Sequence, residues 1–247
     1  FNIYNYGDNL YLKTRDGKEV SIFDQFSNQG NNWHYINEIR FTDRTLTAAD
    51  IKAMRLDGTV GNDTLTAKAD GSWLYGKQGN DHLFSGKGND YLDGGTGDDT
   101  LKGGSGDDVL EGSEGNDSLY GNEGKDTLNG GSGDDYLEGG DYGSDTYVFQ
   151  AGHGKDLVAE IARKDEEADT LRFEGAKAAD ARFSRDGYNL VVNAYGDSNQ
   201  VTLRRYFYND DYRHFHFQFD DKALEMADIA KQVFAFNGTD SNDRLYG

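Results

Sequence analysis

Two residue types that often stiffen or anchor a chain are missing from this 247-residue sequence, which has no cysteine and no proline. The absence of cysteine excludes disulfide bonds, iron–sulfur clusters and zinc sites with thiolate ligands. No run of 18 apolar residues occurs, so the sequence predicts no membrane-spanning helix and no membrane insertion by this chain. HExxH and GxSxG motifs are absent too, and with no cysteine nucleophile the sequence predicts that this chain is not an enzyme.

Basic residues are few, and apolar residues are scarce as well. The chain has 25 Lys and Arg against 45 Asp and Glu, a net charge of −20, and 35% of its residues are hydrophobic. Strong negative charge repels nucleic acids and anionic membranes, so we predict no nucleic-acid partner and favour cations as ligands. Aromatic residues make up 13% of the chain. This share indicates that part of the chain packs, although its composition leans towards disorder.

Glycine and aspartate, in contrast, recur with a strict period of nine residues. Nine consecutive blocks fill residues 58–138, among them GGTGDDTLK and GGSGDDVLE. Position eight is leucine in all nine blocks, and position six is aspartate in eight of them, with Ser72 of block 67–75 as the exception. A disordered acidic linker would not keep this phase, so the sequence predicts an ordered repeat. The position-six aspartates, with the one that continues the pattern after a single inserted residue, are Asp63, Asp81, Asp90, Asp99, Asp108, Asp117, Asp126, Asp135 and Asp145.

A second, longer period relates the two ends of the chain. Residues 41–54 (FTDRTLTAADIKAM) resemble 219–232 (FDDKALEMADIAKQ), and GTVGND at 58–63 resembles GTDSND at 238–243. The offset between such segments stays between 178 and 181 residues. We therefore expect an array, of which this chain is a piece cut from a larger protein. Its predicted parts are the end of a β-rich module (1–57), the repeat block (58–145), a β-rich capping module (146–237) and the start of the next block (238–247).

The nonapeptides resemble the RTX repeats of haemolysin-type calcium-binding proteins, GGxGxDxUx, in which U is a large apolar residue. The segments between blocks resemble the haemolysin-type calcium-binding related domains of large secreted RTX exoproteins. The resemblance implies an all-β fold in which a parallel β-roll (an RTX solenoid) is flanked by β-rich modules with one short helix each. It also implies a secreted or cell-surface protein of a Gram-negative bacterium, exported by type I secretion and folded by external calcium.

The physical chemistry of the block agrees with a calcium-dependent roll. In each block the first six residues are expected to form a turn and the last three a short strand, with leucine as the one inward side chain. Two blocks complete one turn of a flattened roll, so its core would be two thin rows of leucine. Residues 58–145 hold 19 acidic residues against 5 lysines, a net charge of −14. Calcium prefers carboxylate and carbonyl oxygens, and about seven such ions would balance this charge.

The resemblance also implies where these ions bind. In RTX repeats each ion lies between turns two blocks apart, and each turn gives its position-six aspartate and carbonyl oxygens from positions one to four. About seven calcium ions are therefore expected, four between the pairs Asp63–Asp81, Asp81–Asp99, Asp99–Asp117 and Asp117–Asp135, and three between Asp90–Asp108, Asp108–Asp126 and Asp126–Asp145. Whether block 67–75 binds calcium is left open. The glycines expected at these sites are Gly61, Gly76, Gly79, Gly86, Gly88, Gly95, Gly97, Gly104, Gly106, Gly115, Gly124, Gly131 and Gly133.

The segments outside the repeats have the pattern of ordinary β structure. YNLVVNA, NQVTLRRYF and HFHFQF alternate as strands do, and helices are predicted at TAADIKAM, with Thr47 as its N-cap, and at LEMADIAKQV. His214 and His216 share one strand face but have no evident third ligand, so we expect exposed histidines rather than a metal site. The core expected within 146–237 is Tyr147, Val148, Phe149, Leu171, Phe173, Phe183, Leu190, Val192, Val201 and Leu203.

These patterns predict a non-catalytic calcium-binding module of a secreted RTX exoprotein, which serves as a scaffold and as a folding unit coupled to secretion. Two alternatives stay open. In the first, the chain would be an adhesion module that binds a glycan or a host protein through 181–237. In the second, it would be the non-catalytic C-terminal part of an RTX toxin, lipase or protease. The aromatic segment 204–217 suits either a binding surface or a packed sheet edge. The sequence indicates neither the activity of the parent protein nor an oligomeric state.

Overall fold

The computed structural model describes the backbone of residues 2–6, 9–13, 19–22, 38–40 and 45–47, and the segments 55–67, 71–159, 168–196, 198–208 and 215–233. The helix predicted after Thr47 and the repeat block predicted at 238–247 lie outside these residues. The domain boundaries stay predictions. Near the N-terminus, one antiparallel sheet is formed by β1 (Asn2–Tyr6), β2 (Asn9–Lys13) and β3 (Glu19–Ile22), and a hairpin by β4 (Glu38–Arg40) and β5 (Thr45–Thr47).

The repeat region forms strands that alternate between two facing sheets. Its strands are β6 (Arg55–Asp57), β7 (Thr64–Thr66), β8 (Trp73–Gln78), β9 (His82–Lys87), β10 (Tyr91–Thr96), β11 (Thr100–Ser105), β12 (Val109–Glu114), β13 (Ser118–Glu123), β14 (Thr127–Ser132) and β15 (Tyr136–Asp141). Even-numbered strands pair in parallel in one sheet and odd-numbered strands in the other. This arrangement confirms the predicted parallel β-roll.

The register of the roll is fixed by its leucines. Leu92 pairs with Leu74 and Leu110, eighteen residues away in each direction, and Leu101 pairs with Leu83 and Leu119 in the other sheet. All of these leucines are 0% exposed. Because side chains alternate along a strand, a slip of one residue would turn every leucine outward. The predicted core of two leucine rows is confirmed.

The length of the strands differs from the prediction of three residues per block. Strands β8 to β15 have six residues each, since the first three positions of each block continue the ladder begun by the last three positions of the block before. The glycines at position two adopt positive φ, as in Gly95 (φ 104) and Gly104 (φ 117), and still pair with the strand next to them. Each turn is therefore three residues long, and the prediction of a six-residue turn was wrong.

Beyond the repeats both sheets continue with a larger core. The further strands are β16 (Thr146–Phe149), β17 (Lys155–Val158), β18 (Asp169–Phe173), β19 (Arg182–Asp186), β20 (Asn189–Asn193), β21 (Gln200–Leu203), β22 (Phe215–Phe219) and β23 (Ala223–Leu224). Sheet order is β6-β8-β10-β12-β14-β16-β18-β22-β23 in one sheet and β7-β9-β11-β13-β15-β17-β21-β20-β19 in the other. Pairing stays parallel up to β22 and β21 and turns antiparallel at both outer ends.

Aromatic residues fill this end of the roll. The rings of Phe149 and Phe173 stack at 5.3 Å, and those of Phe173 and Phe219 at 4.9 Å. Every residue of the core predicted for 146–237 is buried, so that prediction is confirmed. Tyr206, Phe207 and Phe217 are buried as well, which places much of the described part of 204–217 in the packed core.

One helix occurs among the described residues, α1 (Met226–Val233), which confirms the helix predicted at LEMADIAKQV. It packs against β19 and buries Ile229. Asp228 lies in its first turn and Lys231 in its last, which suits the helix dipole. Within the part of the chain that the structure describes, no helix has the length and apolar character needed to cross a membrane.

Candidate metal centre

The turns of the roll carry the position-six aspartates into its interior. Eight of the nine predicted aspartates, from Asp81 to Asp145, are buried and at most 3% exposed. Asp63, in the first turn, is partly exposed. Each carboxylate lies on the inner side of a turn because the residue that follows it opens a strand whose leucine points into the core. The fold therefore buries a line of carboxylates along each edge of the roll.

Backbone hydrogen bonds join these aspartates into two rows, one on each edge. In every step the backbone N–H of one residue donates to Oδ1 of the aspartate in the next turn on the same edge. We call them the Asp63 row, which runs Asp63, Asp81, Asp99, Asp117, Asp135 and Asp156, and the Asp90 row, which runs Ser72, Asp90, Asp108, Asp126, Asp145 and Asp169. From Asp63 to Asp81 the distance is 2.7 Å, and from Asp108 to Asp126 it is 2.8 Å. All seven predicted aspartate pairs are adjacent in these rows.

The second carboxylate oxygen has a different environment. In the middle of the rows Oδ2 is buried and accepts no hydrogen bond from the protein, which applies to Asp81, Asp99, Asp108, Asp117 and Asp135. A buried ionised oxygen that accepts no hydrogen bond is strongly destabilising, because it has lost its water without gaining a protein partner. A hard cation bound to these oxygens would remove that cost, and carboxylate oxygen is a ligand that calcium prefers.

Glycine at position one makes room for this oxygen in most blocks, the exceptions being Ala67 and Ser85. A Cβ on Gly112 would lie closer than 3.0 Å to both Asp117 Oδ2 and the carbonyl oxygen of Gly130. Real Cβ atoms essentially never approach so closely. The same conflict with the carboxylate of the block occurs at Gly76, Gly94, Gly103, Gly121, Gly130 and Gly139. Sequence reasoning named only Gly76 of this set, although the GG that opens many blocks was a visible signal.

The predicted glycines at positions two and four, except Gly61, have backbone conformations that favour glycine. They have positive φ, namely Gly79, Gly86, Gly88, Gly95, Gly97, Gly104, Gly106, Gly115, Gly124, Gly131 and Gly133. Position two is left-handed even where the residue is Lys77, Ser113 or Asn122. Successive turns also stack closely, since a Cβ on Gly97 would come within 3.0 Å of the carbonyl oxygen of Gly79. These turns therefore bring backbone carbonyls near the carboxylate rows.

Burial changes the acidity of the row aspartates. It raises the pKa of Asp108 to about 8, and that of Asp117 and of Asp135 to about 7. For the same reason the pKa of Asp99 rises to about 6. Neighbouring carboxylates in the row raise these values further, while the backbone hydrogen bond to Oδ1 opposes the rise. At the partly exposed end of the row, the N–H and hydroxyl of Thr59 bind Asp63 and lower its pKa.

Side chains alone do not make a metal site here. Among the described residues no three His, Asp or Glu side chains converge in a way that could hold an ion. Any bound cation would need backbone carbonyls in addition to the row aspartates. This donor set consists entirely of oxygen, which fits calcium and does not fit a zinc site. The carboxylates that accept no hydrogen bond and the glycine-lined space beside them therefore fit the ion that the repeats imply.

The structure adds two members to the predicted rows. Asp156, in a segment whose Gly154 and Asp156 echo the repeat, accepts from Asp135 N at 3.1 Å. Asp169 accepts from Asp145 N at 2.8 Å and was not predicted. Its signal was present, because Asp169 and Leu171 are spaced like positions six and eight of a block. Ser72 takes the place of an aspartate at the start of its row, and its N–H donates to Asp90 Oδ1.

A family model described as RTX calcium-binding nonapeptide repeat (4 copies) matches six overlapping segments, 57–92, 69–101, 86–119, 102–137, 111–147 and 120–155. Residues 57–155 are RTX calcium-binding repeats. The matching family is a calcium-binding repeat and not a catalytic domain. RTX repeat proteins are typically secreted by Gram-negative bacteria.

Three further proteins are similar to parts of the chain. A curated relative, the iron-regulated protein FrpA of Neisseria meningitidis serogroup C, is 41% identical over 96 residues, which are 39% of this chain and 8% of FrpA. The chain therefore spans a small part of that relative. Two solved structures are also similar: the extracellular lipase LipA from Serratia marcescens (20% identity, TM-score 0.30, 60% of this chain and 37% of that one) and the AlgE6R3 subunit of the Azotobacter vinelandii mannuronan C5-epimerase (21% identity, TM-score 0.28, 64% and 92%).

Proposed function

We propose that this chain is a calcium-binding module of a secreted or cell-surface RTX exoprotein, which folds when it meets calcium outside the cell and then acts as a scaffold. The observation that carries the proposal is the line of buried Oδ2 atoms at Asp81, Asp99, Asp108, Asp117 and Asp135, which accept no hydrogen bond. These groups oppose folding when they are charged and alone. They favour folding once a dication binds them.

The number of ions proposed for 58–145 is about seven, one for each adjacent pair of predicted aspartates. The net charge of −14 in this segment supports that number, since seven dications would balance it. Stacked turns on one edge place negatively charged carboxylates next to each other. Bound dications would reduce the repulsion between them.

Coupling to secretion follows from the calcium concentrations on the two sides of the cell envelope. Extracellular calcium sites commonly have dissociation constants of ~10⁻⁴–10⁻³ M. Sites of that strength would stay empty in the cytosol and fill outside. The repeats would therefore remain unfolded during export and fold after it, which suits type I secretion.

Circular dichroism of the chain in EDTA, in millimolar calcium and in millimolar magnesium tests this function. Calcium is expected to add a large β-sheet signal that EDTA removes. Magnesium is expected to substitute poorly, because it requires near-octahedral geometry and loses its water reluctantly. An equal β-sheet signal in EDTA and in calcium would contradict the proposal.

A second candidate function, binding of a glycan by the C-terminal part of the chain, is favoured by one exposed aromatic pair. Tyr188 and Tyr208 are 57% and 60% exposed, and their rings meet edge to face at 5.6 Å. Exposed aromatic rings offer an apolar face and a polar edge to a ligand. A glycan array in millimolar calcium would test this, with the Tyr188→Ala/Tyr208→Ala double variant as control. Retained binding by that variant, or no binding by the wild type, would argue against it.

A further inference from the structure

Asp156 differs from mid-row aspartates such as Asp117 and Asp135 because its Oδ2 has a protein partner. Nδ1 of His153 lies 2.7 Å from Asp156 Oδ2, and the two side chains are 3% and 2% exposed. Asp156 Oδ1 keeps its usual place and accepts from Asp135 N. The residue before it in the Asp63 row, Asp135, still has an Oδ2 that accepts no hydrogen bond. The environment of this oxygen therefore changes within one step of the row.

His153 is held in place by the aromatic core beside it. Its ring packs at 5.3 Å from Phe149 and meets Tyr195 edge to face at 5.7 Å. The Tyr195 hydroxyl lies 2.8 Å from the backbone carbonyl oxygens of both Phe149 and Glu174, which share its one O–H donor. A ring packed this way has little freedom to turn away from the carboxylate.

Asp197 in the turn that follows lies outside the described residues, and no described residue of that turn carries a carboxylate. Val201 occupies the register position of Asp156 in the adjacent strand β21. Asn199 faces this turn instead, and its Oδ1 accepts from Gly152 N at 2.8 Å and from Gly154 N at 3.4 Å. A cation between Asp156 and β21 would have no aspartate at the matching position of that strand. The imidazole N–H of His153 lies where that cation would bind and donates to Asp156 Oδ2.

We propose that His153 takes the place of a metal ion at Asp156 and so ends the Asp63 row, making Asp135 the last aspartate whose Oδ2 binds calcium. This inference rests on the proposed function, since it assumes that calcium fills the row before that point. The row thus ends on a hydrogen bond that needs no calcium. Such an end joins the metal-dependent roll to a part of the chain with its own apolar core.

Native mass spectrometry of the full chain in saturating calcium, which counts bound ions, tests the proposal with four variants. Asp156→Asn keeps Oδ1 and removes the charge, and we expect it to bind as many ions as the wild type. Asp117→Asn in mid-row is expected to bind fewer. His153→Ala frees Asp156 Oδ2 and is expected to bind one ion more. His153→Asn retains a donor near the position of Nδ1 and is expected to restore the wild-type number.

The outcomes separate this inference from the function on which it rests. If Asp156→Asn loses an ion, or if folded His153→Ala gains none, His153 does not replace an ion and the inference is wrong. If the wild type binds no calcium, or if Asp117→Asn loses none, the proposed function itself fails. Should His153→Ala not fold, the comparison of Asp156→Asn with Asp117→Asn still decides between the two arrangements.

Discussion

Each row aspartate has two oxygens with separate tasks. Oδ1 accepts the backbone N–H of the previous turn, as Asp117 Oδ1 does from Asp99 at 2.8 Å, and so joins neighbouring turns. The other oxygen, as at Asp117, is buried beside a glycine and accepts no hydrogen bond in mid-row. The first oxygen stabilises the roll whether or not an ion is bound. The second makes the charged state costly until a cation arrives.

The raised acidities predict a pH dependence in the absence of calcium. The pKa of Asp108 is about 8 in the folded roll and 3.8 ordinarily, and that of Asp117 is about 7. Between about pH 4 and pH 8 the unfolded chain has lost protons that the folded roll still binds, so rising pH destabilises the calcium-free roll. We expect urea denaturation in EDTA to show a more stable roll at pH 5 than at pH 8.

With calcium present the trend should reverse, because protons and calcium compete for the same carboxylates. The calcium concentration at the midpoint of folding is then expected to rise as the pH falls. Asp108→Asn is the control, since removal of one such group should flatten the dependence in EDTA. A calcium-free roll whose stability is equal at pH 5 and pH 8 would contradict the burial of charged carboxylates.

Gly112, at position one of its block, should tolerate no side chain. Gly112→Ala would place a methyl group against Asp117 Oδ2 and the Gly130 carbonyl. Overpacking of this kind costs ~1–3 kcal/mol, and here it also disturbs the proposed ligand. Gly61→Ala is a matched control, because its Cβ would meet only Thr59 Oγ1 at 4.0 Å. We expect a higher calcium midpoint for Gly112→Ala alone, and similar midpoints for both variants would argue against the role of this glycine.

At the scale of the strand, one leucine per block carries the apolar core. Leu110 is 0% exposed and pairs in register with Leu92 and Leu128. Leu110→Ala should lower the free energy of unfolding in saturating calcium by ~2–5 kcal/mol, the usual range for a buried leucine. Val109→Ala, on the outward face of the same strand, should cost much less. Equal losses in a urea titration would show that the leucine row is not the core.

The strand pattern could be predicted only in part. Strict spacing of eighteen residues between blocks on one edge was enough to predict which aspartates and which leucines meet, since the fold repeats with that period. Strand length was not predictable in the same way. Position-two glycines such as Gly95 were taken as turn residues because of their tolerance for positive φ, yet their backbone still pairs across the sheet. The pairing comes from the neighbouring turn and not from the residue itself.

The candidate metal site, too, could be predicted from the sequence only in part. Position-six aspartates were predictable because carboxylates at a fixed spacing indicate an oxygen-binding cation. The space beside Gly112 and the contact of Asp156 with His153 were not predictable, since both depend on how closely two turns approach each other. Asp169 was missed because a wider connection breaks the nine-residue phase before it.

For the whole molecule, the two ends of the roll have different cores. Residues 73–141 have leucine rows and carboxylates, while the part after residue 146 has stacked rings of Phe149, Phe173 and Phe219. Within the repeats each turn resembles the next, so none is favoured as the first to fold. The aromatic end is favoured, since its burial of apolar surface requires no ion. We therefore expect repeat turns to add from the C-terminal side.

A substitution that destabilises the aromatic core should then make folding of the distant repeats less favourable. Phe217 is 0% exposed and meets Phe183 edge to face at 5.6 Å. Phe217→Ala should raise the calcium midpoint and reduce the cooperativity of folding measured by circular dichroism. His216→Ala, on the exposed face of the same strand, is the control and should change neither. An unchanged calcium titration in a destabilised Phe217→Ala protein would show that the aromatic end does not start folding.

Hydrogen exchange with mass spectrometry, on the full chain with and without calcium, tests most directly whether the ion is part of the core of the roll. Calcium should protect the backbone amides of strands β8 to β15, and EDTA should leave them close to the exchange rates of an unfolded chain. The amides of the row, which donate to Oδ1, should show the same dependence. Strong protection of β8 to β15 in EDTA would mean that the repeats fold on their leucines alone, and calcium would then be a ligand of a finished structure.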